Sequence, residues 1–194
     1  FLNIYLKKRG ITCPWKINPE PPQKFNQAVV IPAYGESEYL PLTLASLDTN
    51  NPTILKETLV IVVVNNATDT VESIRNNNQV TLQGLNNTDY CFTLCTVDAV
   101  SSGMELPNKQ AGVGLARKIG MDLTLPHLSS LGSLIFCMDA DTVVNENYIE
   151  KVNKYFNTTG AKAAVVGFQH RESDDPKQEE TIRKYEKYLL STAE

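Results

Sequence analysis

The sequence predicts an α/β fold built on a mainly parallel sheet with helices on both faces. From Gln27 onward, short runs of β-branched and aliphatic residues alternate with longer segments whose apolar residues recur at helical spacing. Parallel neighbouring strands need a long crossover, usually a helix, so this alternation indicates a parallel sheet that is covered on both sides. A chain of 194 residues is long enough for one such domain with a substantial core.

Composition and charge exclude several classes of protein. The 18 Lys and Arg residues are balanced by 22 Asp and Glu, for a net charge of -4, and no basic run could track a phosphate backbone. We therefore expect no nucleic-acid partner. The longest apolar stretches, 59–64 and 134–138, are far shorter than the roughly 20 residues that cross a bilayer, so we expect no transmembrane segment.

The four cysteines favour a reducing environment. They show no Cys-x-x-Cys spacing and no nearby histidines, which argues against zinc. Cys91, Cys95 and Cys137 fall in apolar strand-like runs and are expected to be buried free thiols. Residues 1–10 lack the ordered regions of a secretory signal. We therefore expect a cytoplasmic protein.

The first predicted strand covers residues 28–31 and stops at Pro32, which cannot donate to a ladder. A loop over 32–36 follows. Ser37 can cap the next helix, in which Leu40, Leu44 and Leu47 recur on one face. Residues 1–26 contain four prolines and no clear element, so we interpret them as an extension that leads into the domain.

The middle of the chain continues the alternation. The run 59–64 is apolar throughout, as expected of a strand buried on both sides, and ends in the polar turn 65–69. A helix is predicted over 70–82, a third strand over 90–97, and a helix over 108–125 that Asn108 would cap.

The helix predicted over 108–125 contains three glycines, Gly112, Gly114 and Gly120. Each weakens the helix by about 1 kcal/mol relative to alanine, so close packing or a close approach to a ligand is the expected reason for them.

The last third predicts a strand over 133–138, a helix over 145–156 and a fifth strand over 161–168. Asp175 and Pro176 suit the cap and first position of a further helix. That helix reaches Glu194 without a stop signal, so we expect the domain to be truncated at its C-terminus.

Polar residues follow several predicted strands at the end where parallel sheets bind ligands. These are the loop 32–36, the amides Asn65 and Asn66, and the carboxylates Asp139 and Asp141. Mg²⁺ and Mn²⁺ prefer oxygen ligands and commonly sit on one or two carboxylates plus substrate phosphates. The set is typical of a site for a base, a ribose and a metal-bound diphosphate. The alternative is that Asp-x-Asp forms a solvated turn or helix cap.

Four segments in this order resemble the nucleotide-sugar-dependent glycosyltransferases of family 2. They are VVIPAYGE at 29–36, VVNNATD at 63–69, GVGLARKIG at 112–120 and FCMDAD at 136–141. The resemblance implies the GT-A fold, which is Rossmann-like. It also implies a donor-binding domain over 27–170, followed by the incomplete start of an acceptor-side region over 171–194.

The resemblance also implies a role for each matching residue. The nucleotide-sugar site would comprise Pro32, Ala33, Tyr34, Glu36, Asn66, Arg117, Asp139, Ala140 and Asp141. Within it, the loop would lie against the nucleoside and Asn66 would contact the base. Arg117 would lie near the nucleotide. Asp139 and Asp141 would serve ribose and metal, with Asp141 as the direct ligand of Mg²⁺ or Mn²⁺.

Simpler interpretations stay open for several of these side chains. Tyr34 could be an ordinary loop aromatic and Glu36 a support for the next helix. Arg117 could form a surface ion pair. Where the family usually has Asp-Asp or Asp-Asn, this chain has Asn65 and Asn66. An amide oxygen still accepts from a base N–H, so the substitution affects base preference rather than binding itself.

The implied reaction is metal-dependent transfer of a sugar from a nucleotide diphosphate of the UDP or GDP type to an acceptor hydroxyl, with inversion. The acceptor could be a saccharide or lipid-linked. The catalytic base is expected outside this chain. The alternative is a non-catalytic nucleotide-sugar binding or scaffolding module of the same fold. An enzyme that makes nucleotide sugars should instead show a Gly-rich basic loop after the first strand, which residues 32–36 do not provide.

Overall fold

A computed structural model describes residues 2–12, 14–85, 88–170 and 172–192. Its centre is a five-stranded sheet in the order β1-β4-β3-β2-β5. The strands are β1 (Ile17–Asn18), β2 (Gln27–Ala33), β3 (Thr58–Asn65), β4 (Thr93–Ala99) and β5 (Leu134–Cys137). All pairings are parallel except that of β1 with β4. The predicted mainly parallel α/β fold is therefore confirmed.

The described ranges also contain helices. These helices are α1 (Leu2–Arg9), α2 (Leu40–Asp48), α3 (Pro52–Leu55), α4 (Glu72–Gly84), α5 (Val113–Thr124), α6 (Tyr148–Thr159) and α7 (Pro176–Thr192). None of the helices in the described ranges is long and apolar enough to cross a membrane.

The sheet divides the core into two layers because successive strand residues point to opposite faces. Val60 and Val62 face one layer with leucines of α2, while Leu59 and Ile61 face the other with Ala116 of α5. All eight residues of β3 are buried, as the unbroken apolar run predicted.

The register places several strand ends at one edge of the sheet. Ala33 at the end of β2 pairs with Val64, and Asn65 at the end of β3 pairs with Ala99. On the other side of β2, Met138 donates its backbone N–H to the Val30 carbonyl over 3.1 Å, immediately after β5 ends. Asp139 therefore leaves the sheet at the same edge as these strand ends.

The sequence predicted that the first strand stops at Pro32, but β2 continues to Ala33. The backbone carbonyl of Val30 points toward β5. The backbone hydrogen-bonding groups of successive strand residues point to alternate sides, so those of residue 32 also point toward β5. The last residue of β5 is Cys137, which pairs with Val30. Pro32 thus lacks an N–H only where the β5 ladder has already ended.

Two predicted caps are wrong. Helix α2 begins at Leu40 without a side-chain cap, and Ser37 instead hydrogen-bonds Asn77. Helix α5 begins at Val113 after Gly112, whose φ of 143° favours glycine. The Asn108 side chain accepts a hydrogen bond from Thr68 rather than capping α5. Capping residues predict a helix start only when no neighbouring element competes for the side chain.

The described part of residues 1–26 is more ordered than predicted. It contains α1 and β1. The Tyr5 hydroxyl donates to Asp122 over 2.9 Å and the Ile11 backbone N–H donates to the same carboxylate over 2.9 Å, which joins this segment to α5. These contacts are long-range, which explains why local sequence patterns did not reveal them.

The predicted fifth strand over 161–168 is wrong, since these residues, all within a described range, have no regular secondary structure. By its contacts the chain divides into two compact units, Phe1–Asn157 and Thr158–Glu194. The second unit contains α7. There Asp175 accepts from the Lys177 N–H over 2.8 Å, which confirms the predicted cap.

Cysteine burial was predicted correctly at one of three positions. Cys91, Cys95 and Cys137 are free, but only Cys95 is buried. Burial raises the pKa of the Cys95 thiol to about 11. Cys137 lies on β5 at the edge of the sheet and Cys91 precedes β4, which explains their exposure. Cys13 lies outside the described residues.

Candidate functional site

A cavity of about 680 Å³ opens at the carboxyl ends of the strands, within the first compact unit. It is lined by Pro32, Tyr34, Glu36, Asn65, Asn66, Ala67, Asp69, Thr70, Val71, Ala111, Gly112, Val113, Asp139, Ala140 and Asp141. Its volume falls in the range of small-molecule sites, and its position is the one at which parallel sheets bind ligands.

Seven of the nine site residues predicted from the sequence line this cavity. The two others lie beside it. Ala33 is buried at the end of β2 and offers only its carbonyl, which accepts from the Asn65 amide over 3.0 Å. Arg117 lies on α5, and its guanidinium reaches Asp139. The structure therefore brings together residues that are up to 109 positions apart in the sequence.

Three carboxylates give one part of the cavity a negative character. Asp139 and Asp141 are exposed, while Glu36 is half-buried. Burial raises the pKa of Glu36, and the nearby charges of Asp141 and Asp139 raise it further. Both aspartates are thus close enough for their charges to act on Glu36. The arrangement would attract a cation.

Arg117 supplies a positive charge beside one of these carboxylates, Asp139, on the α5 side. Its Nη2 lies 2.7 Å from Asp139 Oδ1. Its Nε is buried without a hydrogen-bond partner in the described part of the chain. Such an orphan donor is uncommon in folded proteins.

Helix α5 packs closely against the sheet at Gly120, and this contact keeps Arg117 near the sheet. A Cβ at Gly120 would come within 2.4 Å of Val30 Cγ1 and 3.0 Å of Val63 Cγ2. The close packing expected from the helix glycines is found at this position. A Cβ at Gly114 would meet nothing within 4 Å.

The amide part of the cavity is built by three asparagines. Both N–H groups of Asn65 are used, one by the Ala33 carbonyl and one by the Val63 carbonyl. The Asn66 amide donates to the Ala67 carbonyl over 3.0 Å and accepts from Asn78 over 3.2 Å. Both residues line the cavity yet are almost fully buried, so their remaining hydrogen-bonding atoms have fixed positions.

Asn78 is a site residue that the sequence did not reveal. It is fully buried on α4 and also accepts from the Gly35 backbone N–H over 2.9 Å, which holds the Tyr34–Glu36 loop. The neighbouring Asn77 accepts from the Ser37 N–H over 3.0 Å. The available signal was three consecutive asparagines at 76–78 inside a predicted helix, where asparagine is unfavourable.

Thr43 is a second residue that the sequence did not reveal. Its hydroxyl is fully buried on α2 and donates over 2.7 Å to the carbonyl of Ala140, the residue between the two aspartates. A buried Thr on the apolar face of a predicted helix was the only signal. Its partner is 97 residues away, so the sequence could not indicate it.

The donor set has the chemistry of a hard-cation site but does not enclose an ion. Carboxylate oxygens are the ligands that Mg²⁺ and Mn²⁺ prefer. Across the described ranges, no three His, Cys, Asp or Glu side chains converge tightly enough to hold a metal. Two open carboxylates fit a cation that takes its remaining ligands from water or from a bound phosphate.

Comparison with protein families finds one matching family, described as "Glycosyltransferase like family 2", over residues 22–191. A comparison with curated proteins finds no match.

Solved structures similar to this chain include three of S. aureus TarS. TarS 1-349 is 18% identical, with a TM-score of 0.43, and the match covers 76% of this chain and 39% of that one. The longer TarS structure is 16% identical, with a TM-score of 0.43 and coverage of 79% and 24%. TarS 1-349 in complex with UDP-GlcNAc is 16% identical, with a TM-score of 0.40 and coverage of 76% and 38%. The chain therefore spans well under half the length of the structures that it matches.

Proposed function

Because the chain belongs to the glycosyltransferase-like family 2, whose sequence model matches residues 22–191, we propose that it binds a nucleotide-diphosphate sugar for glycosyl transfer. The main support for this proposal is the cavity, whose lining includes buried amide side chains and solvent-exposed carboxylates. Amides suit a base, which presents N–H and C=O groups. Carboxylates suit a ribose hydroxyl or a cation held against a diphosphate.

Each part of the cavity supports one part of the donor. Tyr34 is about half exposed at the cavity wall, where its ring could lie against a base or ribose. Asn66 would contact the base edge. Asp139 would accept from the ribose, and Arg117 beside it would supply positive charge near the diphosphate. We propose a UDP-type or GDP-type donor, because Asn66 offers an oxygen that can accept from a ring N–H.

We propose that Mg²⁺ or Mn²⁺ is the cofactor. Asp141 would be its direct ligand, since Asp139 is already paired with Arg117, and Asp139 would be a second ligand or a support. When bound, such a cation supplies Lewis-acid stabilisation of the charge that develops on a diphosphate leaving group.

The proposed reaction is a single displacement with inversion. The acceptor oxygen forms a bond to the anomeric carbon while the bond from that carbon to the phosphate oxygen breaks. The hydroxyl proton passes to a carboxylate base. In this chain the cavity residues would bind and orient the donor. The acceptor would be a saccharide or a lipid-linked hydroxyl compound.

The test is calorimetric titration of UDP and GDP, with and without Mn²⁺, into the wild type and Asp141→Asn. Asp141→Asn keeps the size of the side chain and removes its charge. Asp89→Asn changes the net charge equally at an exposed residue outside the cavity and is the matched control. We expect Mn²⁺ to strengthen binding at least tenfold in the wild type and in Asp89→Asn, and to lose this effect in Asp141→Asn.

Two results would contradict the proposal in different ways. If neither nucleotide binds under any condition, the cavity is not a donor site. If binding is equally strong with and without Mn²⁺ in every variant, the non-catalytic binding module becomes the better description. Release of UDP or GDP from a nucleotide sugar in the presence of the wild type would argue for the enzyme.

A further inference from the structure

We propose that Asn78, which cannot itself touch a ligand, determines base specificity by fixing the orientation of the Asn66 amide. Asn78 is fully buried in the middle of α4 and does not line the cavity. It is therefore a positioning residue. The inference rests on the proposed function, since it concerns how the same cavity selects its nucleoside diphosphate.

The hydrogen bonds around Asn66 allow only one orientation of its amide. Asn78 Nδ2 donates to Asn66 Oδ1 over 3.2 Å, and Asn66 Nδ2 donates to the Ala67 carbonyl over 3.0 Å. A reversed amide would place two N–H donors face to face at Asn78 and two carbonyl oxygens face to face at Ala67. Both contacts would leave buried polar groups unpaired, which is costly.

Asn78 is itself held by the strand end and the loop. Its second N–H donates to the Asn65 carbonyl over 3.1 Å, and its Oδ1 accepts from the Gly35 N–H over 2.9 Å. Because these contacts fix the Asn78 amide in turn, the donor that faces Asn66 cannot be exchanged for an acceptor. The Asn78 side chain, which contributes to fixing this orientation, does not line the cavity.

Only one N–H and one oxygen lone pair of Asn66 remain for a ligand. Uracil and guanine present a ring N–H beside a carbonyl oxygen, whereas cytosine and adenine present a ring nitrogen acceptor beside an amino group. An amide that could exchange the positions of its N–H and its oxygen could pair with either order of donor and acceptor on the base. An amide with fixed donor and acceptor positions favours one order when the ribose and diphosphate are held elsewhere. We assign the preference to uracil and guanine.

The test compares the affinities for UDP, GDP, CDP and ADP, measured by calorimetry with Mn²⁺ present. In the wild type we expect the better of UDP and GDP to bind at least tenfold more tightly than either CDP or ADP. Asn78→Asp keeps the acceptor for Gly35 but loses both donors. In this variant we expect the ratio of the affinity for the better of UDP and GDP to the affinity for CDP or ADP to fall at least fivefold. Asn78→Ser removes the carboxamide without adding charge and is expected to lower the ratio in the same way.

Asn77→Asp is the matched control because it makes the same change one residue earlier, where the side chain contacts Ser37 and not Asn66. This variant should keep the wild-type ratio even if its affinities decrease. A ratio that stays unchanged in folded Asn78 variants would overturn the inference and leave Asn78 a structural residue. Equal wild-type affinities for all four nucleotides would overturn it too, without affecting the proposed function.

One measurement needs no variant. In unliganded wild type, hydrogen exchange of the Asn66 carboxamide protons, followed by NMR, should be at least tenfold slower than for an exposed asparagine such as Asn51. Exchange at the exposed rate would show that the amide is not held and would overturn the inference. Absence of binding by every nucleotide would instead contradict the proposed function.

Discussion

Arg117 Nη2 lies 2.7 Å from Asp139 Oδ1, so the guanidinium of α5 is paired with the first carboxylate that follows β5. The two residues are 22 positions apart and reach each other because α5 packs against β2 and β3 while β5 lies beside β2. Asp141, the second aspartate after β5, does not share this counter-charge. The net charge of the side chains at the cavity therefore depends on the positive charge of Arg117.

Substitution of Arg117 by Gln should weaken the binding of UDP with Mn²⁺ by about tenfold, equivalent to about 1.4 kcal/mol. The reason is that a positive charge next to the diphosphate is lost. Mn²⁺ alone should bind more tightly, since Asp139 is released from its pair. Calorimetry measures both quantities. Lys109→Gln removes the same charge from an exposed residue outside the cavity and should change neither. If Arg117→Gln also changes neither, the pair is only a surface ion pair, as the simpler interpretation of the sequence held.

Substitution of Thr43 by Val should lower the free energy of unfolding by about 1–3 kcal/mol, because the buried Ala140 carbonyl loses its donor. The segment between Asp139 and Asp141 loses a restraint at the same time, so Mn²⁺-dependent nucleotide binding should weaken. Urea denaturation and calorimetry measure the two effects. The control is Thr49→Val, whose hydroxyl donates over 2.7 Å to the Ser46 carbonyl near the surface. Equal effects of the two variants would show that the Ala140 contact is unimportant.

The pKa of Glu36, raised by burial and then by Asp141 and Asp139, should make stability depend on pH. A raised folded-state pKa contributes stability that is complete below the unfolded value of about 4.5 and is lost as pH rises through the folded value. Thermal unfolding in EDTA should therefore show that the wild type loses stability relative to Glu36→Gln as pH rises above about 4.5.

The control for this prediction is Glu38→Gln, two residues along and exposed outside the cavity. It should follow the pH dependence of the wild type. A constant difference between wild type and Glu36→Gln across this pH range would contradict the prediction.

Substitution of Gly120 by Ala should destabilise the protein by about 1–3 kcal/mol, because the new methyl group would overlap Val30 Cγ1. Gly114→Ala lies on the same helix with open space around it and should stabilise by up to about 1 kcal/mol through helix propensity. Urea denaturation of both variants measures the difference. Two variants of equal stability would mean that α5 does not approach the sheet at Gly120 as closely as the structure shows.

The sequence alone determined the order and type of most elements of the first compact unit, because these depend on local periodicity. The apolar run 59–64 could only be a strand buried on both faces, and β3 is buried throughout. The polar residues after the strands could be expected to meet, since parallel strands end at one edge. The sequence thus predicted one site that contains Asp139, Asp141, Asn66 and the loop 32–36, and all of these contribute to the lining of the cavity.

Predictions from local sequence patterns were wrong where an element needs partners that are distant in the chain. The run 161–168 has β-branched and apolar residues, but it forms no strand, because local composition alone does not supply the hydrogen bonds to a partner strand that a strand requires. Residues 1–26 show no clear sequence pattern, and the order of the described residues in this range comes from contacts such as that of Tyr5 with Asp122.

Only the tertiary structure decided which polar side chains support the site. Asn78 reaches Asn66 and Gly35 across 12 and 43 residues, and Thr43 reaches Ala140 across 97. None of these three contacts has a sequence signature, because a hydrogen bond between distant residues depends on how helices dock on the sheet. The predicted polar groups of the cavity thus lie at the ends of strands. The groups that hold them in place are determined by packing.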